Sequence, residues 1–180
     1  MGFRVSWIAR AGTSTAELLD VSGRHLTGER HEFPDVGFYL LEVSAGTGGV
    51  WVVLIADGSE NFGELDATLA QSLSDNGHET LYFWCSDTVM ATDLICFKNG
   101  DLAWSIQYDC ESRTQQPTVN GAVPAITHEL LKDLRLKQID DSEVDYLYDL
   151  TAELGRRLVG FRHDTDLETD DPEPFQVLSG

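Results

Sequence analysis

Apolar and polar residues alternate from the start of the chain. Phe3, Val5, Trp7 and Ala9 fall on one face of an extended segment and Arg4, Ser6 and Arg10 on the other, which predicts a half-buried strand. Ser14-Thr15-Ala16-Glu17 has the form of a capping box, in which hydroxyl and carboxylate satisfy free amides of a first helical turn. Leu18, Leu19 and Val21 follow, and Gly23 is placed to end the short helix. Two apolar runs, 37–43 and 50–56, are joined by Ser44-Ala45-Gly46-Thr47-Gly48-Gly49, which suits a hairpin better than a crossover. Leu65, Leu69 and Leu73 recur every four residues up to Asn76-Gly77, predicting a second amphipathic helix with a left-handed end.

Further along, residues 80–85 are rich in aromatics and 91–97 are apolar. Lys98-Asn99-Gly100-Asp101 then supplies the pair of residues that a type I′ turn holds at positive φ, and Leu102, Trp104, Ile106 and Tyr108 alternate on the returning strand. Residues 112–121 read as a polar loop, after which Pro124 opens a helix bearing Ile126, Leu130, Leu131 and Leu134. The segment 144–150 fits either strand or helix, whereas Leu154 and Leu158 ahead of Gly160 mark a last helix. Beyond Phe161 the chain is dominated by acids with Pro172 and Pro174, a composition with little to bury. The expected organisation is a single α+β domain over 1–161 and a lightly docked acidic tail over 162–180. An order rich in hairpins with few helices argues against a doubly wound parallel sheet, so the sheet should be mainly antiparallel with helices packed on one face.

Charge changes this picture most. The chain of 180 residues has 12 Lys+Arg against 31 Asp+Glu, a net charge of -19, with 42% hydrophobic residues, enough for one ordinary core. A field of that sign repels phosphate backbones and anionic lipid, so direct binding to nucleic acid or membrane is not expected. No Lys or Arg lies between Arg30 and Lys98, while Glu32, Asp35, Glu42, Asp57, Glu60, Glu64, Asp66, Asp75, Glu79, Asp87 and Asp93 do. A second stretch without a basic residue runs from Asp140 to Glu153. Such runs are either a solvated, solubilising face or a docking surface for a basic protein, whose association complementary fields would accelerate. Among these carboxylates Asp57, Glu60, Glu64 and Asp87 are the candidate partner-binding residues. Tyr82 and Trp84 join them if they face outward while Leu81, Phe83 and Cys85 face in, giving aromatic anchors within a charged rim. A sheet covered on both faces would remove that patch. No apolar run is long enough to span a membrane and no signal peptide is recognisable, so a cytoplasmic location is expected.

Motifs for chemistry are sparse. Gly46-Thr47-Gly48-Gly49 lacks the Gly-Lys-Ser/Thr and the following helix that a phosphate loop needs. His25, His31, His78, His128 and His163 are scattered without metal-ligand spacing, and all are expected at the surface; Arg162-His163-Asp164 offers two ligands at most. The acidic ladders starting at Asp164 and Asp141 have Thr169 and Tyr146 where a calcium loop needs Gly, and Phe175 and Ala152 where it needs a carboxylate. Cys85, Cys96 and Cys110 have no CxxC spacing; the first two sit in strand-like runs as reduced core thiols, with no basic neighbour in sequence to activate them. No G-x-S-x-G is present. Neither metal, cofactor nor catalytic residue is assigned, and the chain reads as a non-enzyme. The alternatives are a small enzyme whose site is assembled from distant residues, signalled by a pocket holding His or Cys with a carboxylate, and a housekeeping adaptor.

The opening Met1-Gly2-Phe3-Arg4-Val5-Ser6-Trp7-Ile8-Ala9, the run Val144-Asp145-Tyr146-Leu147-Tyr148-Asp149, and Gly160-Phe161-Arg162-His163-Asp164 resemble a family of small bacterial proteins similar to the immunity proteins of secreted or contact-delivered toxins. The resemblance implies a cytoplasmic protein that neutralises a toxin by tight binding, and the acidic face would suit a basic toxin domain such as a nuclease-like one. It implies no catalytic residues.

Overall fold

Residues 2–44 and 49–179 are described by the computed structural model. In chain order they form β1 (Arg4–Ala11), α1 (Thr15–Ser22), β2 (His25–His31), β3 (Gly37–Ser44), β4 (Val50–Asp57), α2 (Ala67–Leu73), β5 (Glu79–Ser86), β6 (Ala91–Lys98), β7 (Asp101–Asp109), β8 (Thr118–Gly121), α3 (Ile126–Asp140), a 3₁₀ turn (Tyr146–Asp149), α4 (Leu150–Val159) and β9 (Phe175–Ser179). The strands make one sheet in the order β2-β9-β3-β4-β1-β5-β6-β7-β8, antiparallel throughout. The α+β class and the antiparallel sheet expected from the alternation are thus observed. Among the described residues no helix is long and apolar enough to cross a membrane.

Local chemistry sets several of these elements. Ser14 accepts a hydrogen bond from the Glu17 amide at the start of α1, and Gly23 ends it at φ 68. Asp66 caps α2 by accepting from the Leu69 amide at 2.8 Å, and Asn76 and Gly77 follow at φ 62 and 89. Asn99 and Gly100, at φ 54 and 78, turn β6 into β7 as the Asn-Gly pair predicts. Strands β3 and β4 pair from Gly37 with Asp57 to Ser44 with Val50, the hairpin expected from the two apolar runs; most of its Gly-rich connection, 45–48, lies outside the described residues.

The helices do not share a face, and here the expectation of a one-sided cover is corrected. One core gathers Val5, Trp7, Ala9, Phe83 and Cys85 under α3 and α4. On the other side Ile8, Leu40, Leu54 and Tyr82 pack with Leu18 of α1 and Ala70 and Leu73 of α2. Strand β1 is therefore a central strand buried on both faces rather than a half-buried one, and its polar residues are largely satisfied internally, the buried Arg10 Nε alone lacking a partner among the described residues. The Ser6 hydroxyl donates to the Phe62 carbonyl, and buried Arg10 donates to Glu17 at 2.9 Å. Helix α4 reaches the sheet through Gly155, where an added Cβ would stand 2.9 Å from the Trp7 ring.

Two further expectations change. The polar loop at 112–121 contains β8, exposed along its length at the sheet edge, where no buried face demands alternation. The acidic tail does not remain lightly docked: β9 inserts between β2 and β3, sending Phe175 into one core and Leu178 into the other. Residues 144–150 resolve as the 3₁₀ turn leading into α4.

Candidate functional site

Strand register defines one end of the sheet as a place where distant segments meet. Asp57 pairs with Val5 and Gly37, Arg4 with Ser86, and Ala91 with Asp109, so β4, β5 and β7 end where β1, β3 and β6 begin. The loops there are knitted together: the Gly58 amide donates to the Arg4 carbonyl at 3.0 Å, the Asp87 amide to the Phe3 carbonyl at 3.0 Å, and the Arg4 guanidinium bridges the Ser59 and Thr88 hydroxyls. Three of the four carboxylates singled out in the sequence, Asp57, Glu60 and Asp87, belong to this end, with Asp35, Asp109 and Glu111 beside them. Glu60 is exposed. Burial, and then the neighbouring Asp35, raises the carboxyl of half-buried Asp57 above its ordinary value. Glu64 is instead engaged by Arg24 at 2.7 Å, and the Arg24 guanidinium also lies over the Phe38 ring.

The outward aromatic pair is not formed. Tyr82 and Trp84 do point away from Leu81, Phe83 and Cys85, but α2 covers that face; Tyr82 is buried and Trp84 half-buried, its indole N–H donating to Asp93 at 2.8 Å. The carboxylates of the Lys/Arg-free span are likewise divided, since antiparallel strands carry Glu42 and Glu79 toward the opposite end from Asp57 and Asp87.

On the α4 side of the same end is a cleft of about 240 Å³ lined by Cys85, Asp87, Tyr148, Arg162 and His163 among others. Gly160, at φ 91, ends α4 and turns the chain so that residues 161–164 run back across the sheet end. His163 is thereby set 3.3 Å, Nε2 to Sγ, from Cys85, with its ring 5.4 Å from Phe83 and 5.2 Å from Phe3 between centroids. Asp87 is a structural hub, accepting from the Phe3 amide at 2.8 Å and from the Tyr148 hydroxyl at 2.7 Å. Arg162 donates to Asp149 at 2.9 Å and to Asp164 at 2.8 Å.

The expectation that His163 is a surface residue is therefore corrected, as is the isolation of Cys85 from any base. Neither was visible in sequence, because the two are 78 residues apart and the flanks of His163 are charged. Proximity has not activated the thiol. Burial, reinforced by the Asp87 carboxylate, pushes Cys85 up to about 12, and burial holds His163 down to about 4. Both shifts favour a neutral thiol beside a neutral imidazole over a thiolate–imidazolium pair. The buried His163 Nδ1 has no hydrogen-bond partner among the described residues. Among the described residues no group of three ligating side chains is arranged to hold a metal ion.

The fold and this sheet end define an α+β protein with an acidic, cleft-bearing strand terminus and an unactivated Cys-His contact. No family model matches the chain, and neither curated proteins nor solved structures give a match.

Proposed function

We propose that the chain is an acidic protein-binding module of the cytoplasm that neutralises a basic toxin domain by direct docking, in the manner of an immunity protein. The observation that carries this reading is the composition of the acidic sheet end. Phe3, Val36 and Val89 are exposed there by 42%, 64% and 51%, among Asp35, Asp57, Glu60, Asp109 and Glu111. Apolar anchors surrounded by like charges are the anatomy of an interface core with a steering rim. The net charge of -19 supports a basic partner and opposes a nucleic-acid one. The test is to recover the tagged protein from its own host at low and high salt and identify what accompanies it. A stoichiometric basic protein is expected, with association slowed at least tenfold by salt and by the exposed-site variant Glu60→Lys with Glu111→Lys. Recovery of no basic protein, or association indifferent to both, overturns the reading.

A second reading, a small enzyme with a site assembled from distant residues, is favoured by one observation, the Cys85–His163 contact in a cleft. The neutral state of that pair opposes it. Alkylation of the folded protein at pH 7.5 separates the two: labelling confined to the partly exposed Cys110 fits the binding module, while rapid loss of Cys85, abolished by His163→Ala, identifies a nucleophile.

A further inference from the structure

Beside the Cys85 cleft, and sharing Phe3, Arg162, His163 and Asp164 with it, lies a second cleft of about 240 Å³ whose remaining lining is different. It opens between the loop 32–36 and the segment 161–167. Phe161 and Phe175 are each 3% exposed and form its apolar wall, while Phe3 and Phe33, 42% and 54% exposed, stand at its rim. Asp57, Asp164 and Asp166 also line it, against the single cation Arg162.

Arg162 is already committed to Asp149 and Asp164, which leaves Asp57 and Asp166 without an ion-pair partner among the described residues. For Asp57 this matters, because a half-buried carboxylate has lost part of its hydration and its upward-shifted carboxyl reports that loss. An incoming cation would restore what burial removed. The volume is below the roughly 300–1,000 Å³ of sites for drug-sized ligands and suits a single side chain. The absence of a metal-ligating cluster among the described residues favours an organic cation, whose stem the phenyl rings can cover and whose head gains from their faces.

We propose that this cleft receives one lysine or arginine side chain of a basic protein partner, its aliphatic stem against Phe3 and Phe33 and its charged head on Asp57. The proposal rests on the acidic docking reading and supplies its anchor point, since a desolvated charge pair at an aromatic-lined centre is where binding energy concentrates.

The experiment is an NMR titration of the ¹⁵N-labelled full chain with the peptide acetyl-Gly-Lys-Gly-amide and, in parallel, with its norleucine analogue, which keeps the stem and lacks the charge. Saturable shifts at Phe3, Phe33, Asp57 and Leu167 with the lysine peptide, absent with norleucine and weakened about tenfold or more by Asp57→Asn, are expected. Asp57→Asn keeps the side chain's shape and removes a charge that the Gly58 amide but no ion pair compensates, so unchanged dispersion of the remaining resonances will show that loss of binding does not reflect unfolding. Lysine-peptide shifts centred elsewhere on the acidic surface, or equal shifts with norleucine, overturn the cleft as an anchor while leaving acidic docking standing. Shifts in the cleft together with recovery of no basic protein from the host uphold the cleft and overturn the docking function.

Discussion

At Cys85 and His163 burial decides the protonation states, and that makes stability depend on pH in a defined window. The imidazole titrates ordinarily at 6.5 and is held down to about 4 in the fold. Between those values the unfolded chain binds a proton that the native state refuses, so stability rises with pH across the window and is lost as pH falls from 6.5 toward 4. The shift corresponds to about 3 kcal/mol at most. Glu153 adds a separate loss lower down: its ion pairs with Arg156 and Arg157, against the opposing effect of burial, bring its carboxyl from 4.5 to about 2, so its contribution disappears between those values. Urea midpoints measured from pH 7 to pH 4 should fall steeply in the natural protein and more gently in His163→Gln; equal slopes would place the dependence elsewhere. Little of this was legible in sequence. Cys85 could be read as a core thiol from its apolar neighbours, but Arg162 and Asp164 flank His163 and hide its burial, which follows from the turn at Gly160.

Among the elements, those with a local code are the ones the sequence reveals. The capping hydroxyl of Ser14, the Asn99-Gly100 turn and the four-residue leucine spacing of α2 each fix dihedrals or a buried stripe within a few residues. Strand β9 has no such code, with five residues behind a proline-rich acidic stretch, yet it joins β2 to β3 and contributes a side chain to each core. Phe175→Ala should therefore cost about 3–5 kcal/mol, the usual loss for a buried phenyl ring. Removing residues 174–180 should cost more and expose the edges of β2 and β3, seen as light scattering at concentrations where the intact protein stays clear. A truncated chain of unchanged urea midpoint would show β9 to be an ornament of the sheet.

For the whole molecule, the same excess of acid that steers a basic partner works against the compact state. At about 10 mM salt the screening length is roughly 30 Å, so most of the carboxylates repel one another across the fold; near 0.15 M it is about 8 Å. Thermal stability should rise over that interval, by roughly 2–4 °C for each kcal/mol of repulsion removed at this size. A fall instead would mean that the surface ion pairs outweigh the repulsion. By itself the sequence determined the α+β class, the antiparallel hairpins, the buried cysteines and the sign of the surface, because periodicity, turn chemistry and charge are properties of short segments and of sums. Tertiary structure decided which carboxylates share one end of the sheet, that Tyr82 is covered, that Glu64 is paired, that the tail supplies an internal strand of the sheet between β2 and β3, and that Asp57 stands in an aromatic cleft. Those depend on strand order and on which face each helix takes, and a cleft shared by residues as far apart as Asp57 and Phe175 has no signature in the local pattern of either.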